Sequence, residues 1–147
     1  MLENEFGIET VQEIDNLVDY SVFLKEHLTT VYPQLILPTP INSFDVNSKK
    51  FRMSDNEREF AKLLLTRDLI VYREPTIKDC TKVPDFFVYN PRTDNGKLVE
   101  ITLYPSTTHD ERKTEQVKAL AMTGIPLVVL YKEHMENIKR YCCDELF

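Results

Sequence analysis

The chain has 147 residues, 42% of them apolar, and a formal net charge of −6. That length suits one compact domain, and the apolar share supports a real core, which excludes a disordered chain. The acidic balance excludes attachment to nucleic acid through a broad basic surface, yet it leaves room for a metal-centred site, where carboxylates cluster and the ion supplies the positive charge.

Residues 1–32 read as one amphipathic helix. Val11, Ile14, Leu17, Val18, Val22, Leu24 and Leu28 recur at helical spacing between acidic residues. Residues 33–50 hold prolines at 33, 38 and 40, which forbid a regular helix and predict an extended connector. The core domain is expected over residues 51–147. It opens with a helix whose start is marked by Ser54-Asp55-Asn56-Glu57, a capping box, with Phe60, Ala61, Leu64 and Leu65 as the apolar face. Leu69 to Glu74 predicts a strand stopped by Pro75, and Asp85 to Asn90 a second. Pro91 to Gly96 is turn chemistry, so Lys97 to Tyr104 predicts a third strand, paired with the second as a hairpin. Asp110 to Met122 predicts a helix capped by Thr107 or Thr108 at its start and by Gly124 past its end. Pro126 to Tyr131 is a continuous apolar run, typical of a buried strand, and Lys132 to Tyr141 closes with a helix. The fold class expected is α/β, with a mixed central sheet flanked by helices in the order α-β-β-β-α-β-α.

No apolar run reaches about 18 residues, so no membrane span is expected. The opening MLENEFGIET is acidic and carries no signal-peptide stretch, which predicts a soluble, cytoplasmic protein. Cys80, Cys142 and Cys143 are odd in number with no C-x-x-C spacing, so neither a disulfide framework nor a zinc cluster is expected. Three glycines, Gly7, Gly96 and Gly124, cannot build a Gly-rich phosphate loop, and no G-x-S-x-G is present.

The chemistry concentrates in the hairpin. With the turn centred near Arg92 and Thr93, Asp85 falls opposite Glu100 or its neighbour, and Glu100 and Thr102 share one face of their strand. Opposed carboxylates repel. A cation between them relieves this, and oxygen ligands with room for water suit Mg²⁺ or Mn²⁺.

These residues resemble a known family. Val83-Pro84-Asp85-Phe86-Phe87 followed by Val99-Glu100-Ile101-Thr102 is similar to the signature of the PD-(D/E)xK nuclease superfamily. The resemblance covers residues 54 to about 138 and implies a restriction-endonuclease-like core. It implies that Asp85, Glu100 and the Ile101 carbonyl hold the metal, with Glu57 on the leading helix completing the site. Gln116 matches a polar residue often found on the helix after the third strand. The implied activity is hydrolysis of phosphodiester bonds by a metal-dependent endonuclease, with DNA favoured over RNA.

One position departs from the pattern. The motif lysine is expected two residues after Glu100, where this chain has Thr102. The resemblance permits a lysine from a neighbouring element, and Lys113 shares a helix face with Gln116. Lys113 is the first candidate for the transferred role and Arg112 the second. Lys97, three residues from Glu100, points to the opposite face. His109, Arg112, Lys113 and Thr102 are the candidate nucleic-acid contacts; Arg73 and Lys82 flank the site in sequence and could touch phosphate, with a solvated surface charge the favoured reading of each. The alternative is a domain that has lost catalysis and binds a protein or nucleic acid in a larger assembly. In that reading the first helix docks a partner or a second copy of the chain.

Overall fold

Helix α1 (Thr10–Val31) buries Leu24 and Leu28, four residues apart and therefore on one helix face. It ends two residues before Pro33, whose ring disfavours helical backbone just ahead of it. The computed structural model describes residues 10–138 and 146–147. The side chains of Val11, Ile14, Leu17 and Val18, together with Cys142, Cys143 and the end of the closing helix, lie outside the described residues. Val22, expected on the apolar face, is instead 54% exposed.

The proline-containing connector is extended, as anticipated, but not featureless. Its strand β1 (Leu35–Ile36) and a 3-10 turn (Ile41–Ser43) place Leu35, Leu37 and Ile41 in the interior. Helix α2 (Asp55–Thr66) starts at the capping box. Ser54 Oγ accepts from the Glu57 amide, and Glu57 Oε1 accepts from the Ser54 amide at 2.8 Å. Strands β2 (Ile70–Arg73), β4 (Phe86–Asn90), β5 (Asn95–Ile101) and β6 (Leu127–Leu130) then form one sheet in the order β2-β4-β5-β6. The first three pair antiparallel, and β6 joins β5 in parallel after crossing over through helix α3 (Glu111–Ala121). A short strand β3 (Thr76–Ile77) pairs with β1 in a separate ribbon, and helix α4 (Lys132–Glu136) follows β6. The protein is thus mixed α/β with a mixed central sheet. Among the described residues, no helix is long and apolar enough to cross a membrane.

Strand alternation divides the interior in two. Phe86, Val88, Val99 and Ile101 face α2, packing with Phe60, Ala61 and Leu64. Phe87, Tyr89 and Leu98 face the other way, against Leu24 and Leu28 of α1 and Leu120 of α3. Each fully buried phenylalanine contributes about 2–3 kcal/mol of apolar burial. Three local expectations need correction. Strand β6 stands at the sheet edge with Leu127, Val128 and Val129 only half-buried, because one side of the strand has no neighbour in the sheet. The helix α3 cap is Asp110, which accepts from the Arg112 and Lys113 amides, rather than Thr107 or Thr108. Strand β5 begins at Asn95 and ends at Ile101, three residues short of Tyr104.

The hairpin register is pinned at its turn. Gly96 sits under the Phe87 ring, and an added Cβ would collide with that ring and lie 3.1 Å from Tyr32. The Tyr32 hydroxyl donates to the Gly96 carbonyl and accepts from its amide. Asp94, in the left-handed region at φ 55°, is held by Tyr89 Oη at 2.7 Å and His27 Nε2 at 2.9 Å. Helix α1 is thereby tied to the turn that sets the pairing of β4 with β5.

Candidate functional site

That pairing aligns Phe86 with Val99, so one further residue along Asp85 faces Glu100. The two carboxylates project from one face at the end of the sheet, as the strand parity predicts. Asp85 precedes strand β4 instead of opening it, and its amide donates to the Val99 carbonyl at 3.0 Å. Its Oδ2 accepts from the Ile101 amide at 2.7 Å.

Glu100 is 1% exposed. A buried carboxylate requires counter-charge and hydrogen bonds, and helix α3 supplies them. Lys113 Nζ lies 2.7 Å from Glu100 Oε2, and Gln116 Nε2 donates to the same oxygen. Lys113 also reaches the Ile101 carbonyl at 3.5 Å. Asp110 caps this helix, which fixes its first turn above the hairpin and aims both side chains at one oxygen. The other oxygen, Glu100 Oε1, is buried and finds no hydrogen-bond partner among the described residues.

Glu57 reaches the site from the opposite side of the sheet and divides its two oxygens. Oε1 completes the helix cap, and Oε2 lies 3.1 Å from Arg73 Nη1. The capping role and the site role therefore do not compete for one atom. Sequence reasoning set Arg73 beside the site as a solvated charge and missed its burial and its pairing with Glu57 and Asp85. Arg73 is only 10% exposed, lies 3.8 Å from Asp85 Oδ1, donates to the Asp85 and Arg52 carbonyls, and stands over the Phe86 ring. Its signal was a cation ending an apolar strand run, a place where a side chain has little access to water.

The electrostatics follow from this crowding. Burial, then the Glu100 charge, push the Asp85 carboxyl up to about 8, against the bond from the Ile101 amide. For Glu57, burial acts upward, but the Ser54 amide, Arg73 and a hydrogen bond from Asp85 together hold it below the usual carboxylate range. The pair is consistent with Asp85 carrying a proton that it shares with an ionised Glu57.

An open cleft of about 630 Å³ adjoins these groups, lined in part by Glu57, Ile101, Thr102, Arg112, Lys113 and Gln116. Arg112 is exposed at its edge. Thr102 is 2% exposed and does not stand free as a phosphate contact; its Oγ1 accepts from the Tyr104 amide at 3.2 Å. His109 is exposed and lines a neighbouring cleft. Lys97 points away, donating to the Leu146 carbonyl at 2.6 Å.

Among the described residues, no three His, Cys, Asp or Glu side chains are grouped to ligate one ion. The oxygen donors near the hairpin end are fewer: Asp85, Glu100 with its orphaned Oε1, and the Ile101 carbonyl. All three offer oxygen, which fits a hard divalent cation that keeps several waters. No protein-family model, curated protein or solved structure matches the chain.

Proposed function

We propose that the chain is a metal-dependent nuclease of the PD-(D/E)xK type, with a restriction-endonuclease-like core, acting on phosphodiester bonds of nucleic acid and on DNA before RNA. The observation that carries this reading is the buried Glu100, opposed to Asp85, with one oxygen held by Lys113 and Gln116 and the other unpartnered. A buried carboxylate oxygen left without a partner costs several kcal/mol unless a ligand satisfies it.

Asp85, Glu100 and the Ile101 carbonyl would hold Mg²⁺ or Mn²⁺, with Glu57 bearing on it through Asp85 or a water. Bound there, the ion would polarise a phosphoryl oxygen and acidify an attacking water. Lys113 takes the place of the motif lysine from helix α3: it pairs with the Glu100 carboxylate and presents its charge where negative charge develops at the phosphate. Gln116 orients the Glu100 carboxylate. Arg73 keeps Glu57 ionised, so that Glu57 accepts a hydrogen bond from the protonated Asp85. Arg112, exposed at the cleft edge, supplies a mobile phosphate contact.

The experiment is cleavage of single- and double-stranded DNA and RNA by the purified chain with Mn²⁺. Loss of all cutting in Asp85→Ala and Glu100→Ala supports the reading. Absence of cutting by the unaltered chain on every substrate rejects it. A second reading, a nuclease-like module without catalysis, is favoured by one observation: Arg73 and Lys113 already pair with Glu57 and Glu100, so part of the negative charge is compensated without an ion. Calorimetry separates the two, since this module would bind no Mn²⁺.

A further inference from the structure

We infer that Tyr104 is a stacking platform for an unpaired base beside the phosphate-binding end of the cleft, so that the substrate is a single strand or a frayed end. This rests on the nuclease reading and adds the substrate class to it. Three observations carry it. First, two clefts meet at this point. The one beside Glu57 and Ile101 and a neighbouring one of about 490 Å³ share Thr102, Tyr104, Asp110 and Lys113 as lining. A phosphate held at Lys113 therefore has open space on both sides of it. Second, Tyr104 stands at the junction with 48% of its surface exposed. Its backbone is nevertheless fixed at both ends: its amide donates to Thr102 Oγ1 at 3.2 Å, and its carbonyl accepts from the Lys132 amide at 2.9 Å. A large exposed ring on a pinned backbone loses little entropy on stacking, the property that aromatic platforms for single strands use. Third, the chain carries a net charge of −6. A long duplex held by its phosphates needs a broad basic surface, whereas a strand gripped by one phosphate and one stacked base does not.

The arrangement gives Thr102 a purpose. With the cation supplied by Lys113, position 102 is released from charge and its hydroxyl positions the platform. A base within a duplex has both faces covered by its neighbours and cannot offer one to Tyr104. The face of a base is common to DNA and RNA, so strands of each belong in the test.

Binding is measured in EDTA, where no cutting occurs, with short DNA and RNA strands carrying a fluorescent base analogue and with the matching blunt duplex. The expected result is tighter binding of a strand than of the duplex, with quenching of the analogue on stacking. Tyr104→Ala should weaken strand binding about tenfold and abolish the quenching, while Tyr104→Phe keeps both. Thr102→Val should lower the ratio of strand to duplex affinity, and Thr102→Ser should restore it, which a purely structural role would not do. The inference is overturned if Tyr104→Ala retains strand affinity and quenching, if the duplex binds as tightly as the strands, or if no strand binds. Because this arm needs no metal and no turnover, it is decided separately from cleavage. Loss of the nuclease reading shows instead as an unaltered chain that cuts nothing with Mn²⁺.

Discussion

Lys113 meets Glu100 from across the hairpin, Nζ to Oε2 at 2.7 Å, although the two belong to different elements and are 13 residues apart. Glu100 is almost fully enclosed, whereas Lys113 keeps 27% of its side chain in solvent. Removing the lysine leaves a buried carboxylate with Gln116 as its remaining donor. Lys113→Ala is therefore expected to lower unfolding free energy by about 3 kcal/mol in urea titrations. Adding Glu100→Gln should recover most of that loss, because the uncompensated charge is then gone. A double variant as unstable as Lys113→Ala alone would show that the pair is not coupled.

The Asp85 carboxyl, pushed up to about 8 from an ordinary 3.8 by burial and then by Glu100, makes stability depend on pH. Between those values the folded chain holds a proton that the unfolded chain has released. The stabilisation tied to that proton is complete below about 3.8, declines as pH rises and is gone above about 8. Measured in EDTA, the unaltered chain should lose on the order of 2–4 kcal/mol relative to Asp85→Asn across this window, discounted for partial solvent access. Excess Mn²⁺ should reverse the trend, since a metal displaces the proton more readily as pH rises. Parallel stability curves for the two proteins in EDTA would count against a protonated Asp85.

Restoring a lysine at position 102 should fail alone and succeed in company. Thr102 is buried and its hydroxyl holds the Tyr104 amide, while Lys113 already occupies the Glu100 oxygen. Thr102→Lys by itself places a second cation in a filled site, with an expected loss of about 2–3 kcal/mol. Thr102→Lys with Lys113→Ala returns the cation to the motif place. That double variant should cleave measurably where Lys113→Ala does not.

Ser54→Ala tests the link between helix cap and site. The lost cap should cost about 1 kcal/mol in thermal unfolding. The backbone amide at position 54 still donates to Glu57 Oε1, but the Glu57 amide loses Ser54 Oγ as its acceptor, so the turn that positions Glu57 opens more readily. Mn²⁺ affinity, read by calorimetry, should therefore change in Ser54→Ala and remain unchanged in Asn56→Ala, one turn position away from the cap bonds.

Much of this was legible in the chain itself because the signals are local. The Ser54 box and the shared face of Lys113 and Gln116 follow from spacings of three residues, and the opposition of Asp85 to Glu100 follows from a short turn between adjacent strands. What escaped notice depends on elements crossing in space. Arg73 looked like a surface charge because nothing in its neighbourhood in sequence announces Glu57 or Asp85. The β1–β3 ribbon has two residues per strand, too few for any periodicity. Strand β6 read as buried from its composition, which cannot distinguish a central strand from one at the sheet edge. That Glu57 caps α2 with one oxygen and meets Arg73 with the other depends on where Arg73 lies in space, which spacing does not show.

That divided carboxylate joins two timescales. Helix ends fray readily, and the first turn of α2 is closed by the same side chain that touches Arg73 and Asp85. Each time that turn opens, Glu57 swings away and Asp85 loses the acceptor for its proton. The lifetime of one helical turn thus bears on how long the acidic cluster stays assembled, and a ligand that bridges the cluster would slow the fraying of the helix that carries Glu57.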